Sequence, residues 1–227
     1  MKLILDAGGV IVYPAFGSWL YGAAMTENPV VADTLGGEAF QRAHEACWEI
    51  VREDARMDTE AEEYARRRRY FAEMNRLVPW GLSAEQTDEL ARDFVENPRR
   101  MGVYADAQVY LPRFQRRFGL GLLSDTTPSL RRVLENAGLW EYLDAHVFST
   151  DVGALKPAPA MYARILELLG ARPEDCLFAD DFERNLRGAQ AMGLRAVQMA
   201  RDECVRRWDG PVVTNFAELE AYAESLA

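Results

Sequence analysis

Hydrophobic positions along the chain fall into two regimes. Leu3, Ile4 and Leu5 form a short unbroken apolar run that closes on Asp6 and then on Gly8 and Gly9. This is the pattern of a buried strand ending in a tight turn. From Tyr104 onward such runs alternate with amphipathic stretches. Residues 120–123, 147–148, 176–179 and 196–199 read as strands, with 212–213 as a last edge strand. Residues 128–137 read as a helix stopped by Gly138. A second helix opens at Pro159, carries Tyr162, Ile165, Leu166 and Leu169 on one stripe and stops at Gly170. Residues 184–192 are helical up to Gly193, and a terminal helix starts at Phe216. Strands alternating with helices of this length predict an α/β fold with a doubly wound parallel sheet.

Residues 15–98 follow the other regime. Strand signals are scarce and Ala, Glu, Arg and aromatic residues dominate. Asp58 or Thr59 is positioned to cap a helix running toward Leu77, with Pro79 beyond its end. Residues 83–95 give another helix, with Leu90, Ala91 and Phe94 on one face. The expected organisation is therefore an α/β core of residues 1–14 and 99–227, interrupted by an α-helical insert of residues 15–98.

Composition narrows the function classes. The 227 residues are 49% apolar, enough for one large domain or one domain with a smaller insert. No apolar run is long enough to span a membrane, and Asp6 interrupts the N-terminal run before it resembles a secretory signal. The net charge of −10 repels nucleic acid and anionic membrane surfaces. The one basic run, Arg66 to Arg69, follows Glu60, Glu62 and Glu63 and reads as a solvated helix face with ion pairs three and four residues apart. Cys47, Cys176 and Cys204 are odd in number and widely spaced, which points to a reduced cytoplasmic protein without a structural metal. His44 and His146 lie too far apart in the pattern to form a metal pair.

Ligands of doubly wound sheets bind at the carboxyl ends of the strands. Those ends carry Asp6, Ser124–Asp125 and Asp180–Asp181, with Lys156 in a nearby loop. Each residue alone reads as a turn former or helix cap. Together, clustered carboxylates repel one another beyond what one lysine neutralises. A hard divalent cation relieves that repulsion, and oxygen ligands of this kind suit magnesium.

Four segments in order resemble the motifs of the haloacid dehalogenase superfamily: Asp6-Ala7-Gly8-Gly9-Val10; Leu122-Leu123-Ser124; Gly153-Ala154-Leu155-Lys156-Pro157-Ala158-Pro159 with Tyr162; and Phe178-Ala179-Asp180-Asp181 continuing to Asn185, Ala189 and Gly193. The insert after the first motif is similar to the family's cap domain over a Rossmann-like core. The resemblance implies a Mg2+-dependent phosphatase of a small phosphorylated metabolite. In it Asp6 is the nucleophile that forms an aspartyl-phosphate. Asp6, the Gly8 carbonyl and Asp180 hold the metal, with Asp181 acting directly or through water. Ser124 donates to a phosphate oxygen, helped by backbone N–H groups at the start of the following helix. Lys156 neutralises transition-state charge, and Asn185 supports the site from behind.

Gly8 departs from the family pattern. The usual phosphatase carries there the Asp that protonates the leaving oxygen, help typically worth about 10²–10⁴ in rate. A glycine at that place resembles a branch that includes sugar-phosphate phosphatases, and it suggests good leaving groups such as sugar 1-phosphates. The alternatives are a catalytically impaired relative that binds phosphate compounds or a protein partner, or a hydrolytic dehalogenase. That last branch usually carries an aromatic at position 8 and uses no metal. Asp125 replaces a more usual Asn; it adds charge beside the phosphate site, stands in for part of the lost acid or serves as a helix-start residue. Tyr13, where the chain leaves the core, is a candidate to face the substrate. Trp19, Trp48 and Trp80 are expected in the insert's own core.

Overall fold

The computed structural model describes residues 1–52, 55–202 and 208–226. Six parallel strands form one sheet in the order β5-β4-β1-β6-β7-β8. They are β1 (Lys2–Leu5), β4 (Leu120–Ser124), β5 (Ala145–Phe148), β6 (Cys176–Asp180), β7 (Arg195–Met199) and β8 (Val212–Val213). Strands β1, β4 and β6 are central, and nearly every residue in them is buried. That is why they read as continuous apolar runs rather than alternating ones. Alternation is still visible in how they pack: Leu3 and Leu5 face one apolar cluster and Ile4 the other. Strand β5 starts two residues before the expected run, because the half-buried polar His146 hid its beginning.

Helices cover both faces. On the Leu3 side lie α7 (Ala105–Phe118), α8 (Leu130–Asn136) and α12 (Phe216–Ser225). On the Ile4 side lie α10 (Pro159–Leu169) and α11 (Glu183–Ala191), with the short α9 (Ser149–Val152) before them. Helix α7 has no clear signature in the sequence, since Pro112 sits inside it. Its core stripe is nevertheless regular: Ala107, Leu111 and Phe114 are all fully buried, spaced four and three residues apart.

The chain leaves the sheet through β2 (Val12–Pro14) and returns through β3 (Met101–Val103), which pair antiparallel. Neither strand was expected; three residues each are too few for a periodic signal. Tyr13 lies across this ribbon. A Cβ at Gly102 would meet its ring at 2.2 Å, so a larger residue there would displace the Tyr13 ring.

Between the two strands lie α1 (Ala23–Glu27), α2 (Pro29–Ala32), α3 (Glu38–Ala46), α4 (Trp48–Val51), α5 (Glu60–Leu77) and α6 (Ala84–Glu96). They share an apolar cluster of their own, with Phe40, Phe71, Met74, Leu90, Ala91 and Phe94 among its members. Capping boxes start the two long helices, Thr59 with Glu62 and Ser83 with Gln86, and each satisfies two otherwise orphaned groups.

Three expectations for this layer need correction. Trp80 is buried and donates to Thr34 Oγ1 at 2.9 Å, but Trp19 and Trp48 are each 42% exposed. Arg66 to Arg69 do not form one solvated face, because Arg67 is buried against the Phe94 ring, 3.9 Å from its centroid. Their expected acidic partners are engaged elsewhere: Glu60 pairs with Arg132, Glu62 caps α5 and Glu63 turns inward.

Among the described residues no helix is long and apolar enough to cross a membrane. Cys47 and Cys176 are buried free thiols; Cys204 lies outside the described residues. His44 Nδ1 is 3.0 Å from the Tyr70 hydroxyl, and His146 packs beside Trp140 and Phe148.

Candidate active site

The carboxyl ends of β1, β4 and β6 meet because these strands are neighbours in register, Leu5 opposite both Leu122 and Ala179. Asp6, Ser124, Asp125, Lys156, Asp181 and Asn185 all line one cavity of about 270 Å³. That is near the small end for ligand pockets.

Lys156 is the centre of the arrangement. It is 2% exposed. Its Nζ lies 2.9 Å from Asp6 Oδ1 and 2.8 Å from Asp180 Oδ2, and donates to the Leu123 carbonyl at 3.1 Å. Burial disfavours its charge, but Asp180, Asp6 and Asp125 outweigh burial and hold the ammonium above its usual range. The loop bearing it is fixed by Asp125, whose Oδ1 accepts from the Lys156 backbone N–H at 2.8 Å. Asp125 thus has a specific structural partner that its sequence context did not suggest. Gly188 lets α11 close on this loop, since a Cβ there would strike Pro157 and the Tyr162 hydroxyl.

Asp6 is buried, and burial pushes its carboxyl up to about 6 despite the attraction of Lys156. The Ala7 N–H donates to its Oδ1 at 2.7 Å, and Ser124 also donates to this carboxylate. Asp180 is fully buried and accepts four bonds. The Phe182 N–H reaches Oδ1, Lys156 reaches Oδ2, and Asn185 Nδ2 lies 3.0 Å from each oxygen. Asn185 is held in turn through its backbone carbonyl, which accepts from Tyr162 Oη at 2.7 Å. Asp181 differs. Its Oδ1 is buried with no hydrogen-bond partner, and burial, Asp6 and Asp180 together push its carboxyl up to about 8.

Ligand oxygens of Asp6, Asp180 and Asp181 lie within 4.8 Å of one another. The donor set is hard oxygen, which suits Mg2+, and the orphaned Asp181 oxygen is a ready coordination position. Asp180 has its lone pairs occupied by protein donors, so the geometry makes Asp181 the freer of the two ligands. Gly9 is what lets the Asp6 loop approach so closely: it has φ +67°, and a Cβ on it would meet Asp181 Oδ2 at 2.4 Å.

One expected residue stands outside this constellation. Tyr13 does not line the cavity; its ring lies over Gly102 and 5.0 Å from Tyr104. Of the backbone donors ahead of α8, two are engaged within the protein, Thr126 N–H by Ser149 Oγ at 3.0 Å and Ser129 N–H by Glu63 Oε2 at 2.9 Å. Conversely, Trp19, Arg67, Phe94, Arg100, Phe182 and Arg184 line the cavity without having been read as site residues. Arg100 is buried against Phe94, 4.1 Å from the ring centroid, beside the same ring as Arg67. A basic residue inside an otherwise apolar helix face was the available signal for Arg67.

Known proteins resemble this chain. The chain is 34% identical over 138 residues to a phosphoserine phosphatase of Thermus thermophilus, covering 60% of this chain and 55% of the relative. It is 34% identical over 144 residues to a phosphatase of Mycobacterium tuberculosis, covering 62% and 64%. These matches thus span between half and two thirds of the relatives' lengths. Among solved structures, a 2-haloacid dehalogenase from Pseudomonas syringae superposes with a TM-score of 0.71 at 19% identity over the whole of both chains, which is a likeness of fold. The model of the haloacid dehalogenase-like hydrolases matches residues 3–193, and the chain belongs to that family.

Proposed function

We propose that this hydrolase is a Mg2+-dependent phosphatase of a small phosphorylated metabolite, with residues 15–98 as a cap over the site. The observation that carries the reading is the Asp6 carboxylate, held on Oδ1 by Lys156 and the Ala7 N–H, beside Asp181 with its unpartnered buried oxygen. The phosphatase relatives support the same choice.

With Oδ1 held, Asp6 presents its other oxygen for in-line attack on phosphorus. The P–O bond to the leaving group breaks, its electrons depart with the leaving oxygen, and an aspartyl-phosphate remains. Water then attacks phosphorus, the phosphate leaves and the Asp6 carboxylate is restored. Lys156 keeps Asp6 ionised and oriented, and Ser124 donates beside it. A bound Mg2+, held by Asp6, Asp181, the Gly8 carbonyl and Asp180, would supply charge neutralisation between nucleophile and phosphate.

Gly8 has no proton to give. Leaving groups that depart as weak bases, such as anomeric sugar phosphates, aryl phosphates and acyl phosphates, need the least help. The test is phosphate release from a panel of phosphate esters, with Mg2+ and with excess chelator, alongside chloride release from 2-chloropropionate. Mg2+-dependent phosphate release supports the proposal. Halide release that persists in chelator would replace it with the dehalogenase reading, and tight phosphate binding without turnover with a binding role.

A further inference from the structure

The cavity's rim carries two large aromatic side chains that phosphoryl transfer does not use. Trp19 is 42% exposed, Phe182 is 52% exposed, and both line the cavity. Each adjoins a residue of the reacting centre. A methyl group built on Gly8 would come within 3.4 and 3.5 Å of Trp19 Cζ2 and Cη2. The indole edge therefore rests on the position where the family's general acid usually stands. Phe182 directly follows Asp181, and its backbone N–H donates to Asp180 Oδ1 at 2.8 Å. Gly9 brings the two stretches into contact, because its missing Cβ leaves room only for Asp181 Oδ2. Both rings thus line one cavity, each attached beside a residue of the reacting centre.

A leaving group attached to a phosphate at Asp6 would share this cavity with the two exposed rings. A polar open-chain group gains little against exposed indole and phenyl surfaces. A ring gains both apolar burial and offset or edge-to-face stacking. We propose that Trp19 and Phe182 are specificity-determining residues that hold the leaving group by its ring face, selecting phosphate esters of aryl or other cyclic groups over open-chain ones. This rests on the phosphatase reading of the same site and adds the shape of the leaving group to it.

The test reads binding apart from turnover. Affinities of phenylphosphonate, cyclohexylphosphonate and methylphosphonate are measured by competition calorimetry with Mg2+ present, for the native chain and for Trp19→Leu, Trp19→Phe and Phe182→Leu. Circular dichroism and melting confirm that each variant is folded. The native chain should bind phenylphosphonate at least about fivefold more tightly than methylphosphonate, with each ring contributing about 2- to 12-fold. Trp19→Leu and Phe182→Leu should each shrink that margin, and Trp19→Phe should retain most of it. Cyclohexylphosphonate separates the two sources of the preference: equality with phenylphosphonate assigns it to ring shape and apolar contact, weaker binding to aromatic stacking. No margin in the native chain, or a margin unchanged in both leucine variants, overturns the inference. A margin that collapses on mutation in a chain that hydrolyses no phosphate ester keeps the ring-face site and removes the phosphatase reading.

Discussion

Glu63 lies on α5 and is fully buried. Its Oε1 accepts from Thr127 Oγ1 at 2.7 Å and Ser129 Oγ at 2.9 Å, and its Oε2 accepts from the Ser129 N–H at 2.9 Å. Thr127 lines the cavity, so this carboxylate ties the insert to the segment following Ser124. Hydrogen bonds to a charged group are worth about 1.5–3 kcal/mol each, and a buried donor left unmade costs about 1–3 kcal/mol. Desolvation of the carboxylate, several kcal/mol, offsets part of the sum. Glu63→Ala strands the Ser129 N–H, which cannot turn away, while the two hydroxyls can. The net loss should be about 2–4 kcal/mol. For a chain of this size that lowers Tm by about 4–16 °C. Glu63→Gln keeps the shape: its carbonyl can take the Ser129 N–H and its amide can donate to rotated hydroxyls, so the loss should be near 1 kcal/mol, or about 2–4 °C. Calorimetry and urea midpoints at constant m read the stability, and hydrogen exchange at the Ser129 amide reads the local bond. A Glu63→Ala protein within about 1 °C of native, or Gln as damaging as Ala, would refute the reasoning.

Further expectations follow from the site. Asp6→Asn should fold normally and release phosphate only at background rate, because an amide is a poor nucleophile; steady turnover by the folded variant rules out the mechanism. Asp181→Asn should shrink the Mg2+-induced rise in Tm, which for native protein corresponds to about 2.7 kcal/mol at a metal concentration a hundredfold above Kd; an undiminished rise places the ion elsewhere. Gly8→Asp should flatten the dependence of kcat/KM on leaving-group pKa, and a dependence left as steep as the native one counts against the missing acid as its cause. Burial holds both histidines, His44 and His146, below the ordinary value. At these two groups the unfolded chain therefore binds more protons near pH 6, so their contribution to stability falls as pH drops through about 6.5, opposite in sign to that of the raised Asp6 and Asp181 carboxyls. Relative to native, the His44→Gln/His146→Gln variant should gain in urea midpoint as pH is lowered from about 7.5 to about 5.5, and an unchanged difference between the two proteins would show that the histidines do not contribute.

The legible part of this molecule is the part governed by continuous burial. Central strands β1, β4 and β6 carry unbroken apolar runs, so their ends, and with them Asp6, Ser124 and Asp180, could be located from the chain alone. The illegible part depends on single side chains reaching across the fold. Arg67 looks like one member of a basic run, yet it is buried because α5 turns that position toward Phe94. Glu63 looks like its solvent-exposed partner and instead caps backbone 66 residues away. The β2–β3 ribbon rests on Tyr13 fitting over Gly102, a match of shape that no periodicity encodes. Asp180 and Asp181 are indistinguishable as a dipeptide; only the Asn185 and Lys156 contacts show which one is already satisfied.

That last distinction bears on how an acidic protein attracts an anion. Asp6, Asp180 and Asp181, all ionised against the single ammonium of Lys156, would leave two negative charges in a buried space, and the raised carboxyl of Asp181 shows the cost. A divalent cation at the free Asp181 oxygen would remove that excess. An arriving phosphate dianion would restore it. Arg67, Arg100 and Arg184 line the same cavity and can meet that charge. With an ion bound at the carboxylates, positive potential would be assembled locally, by that ion and the guanidinium groups that line the cavity, within a chain whose net charge of −10 opposes approach at long range. Screening by salt weakens the long-range repulsion far more than contacts inside a buried cavity. On this account, moderate salt should raise the rate of substrate capture while leaving the bound state nearly unchanged.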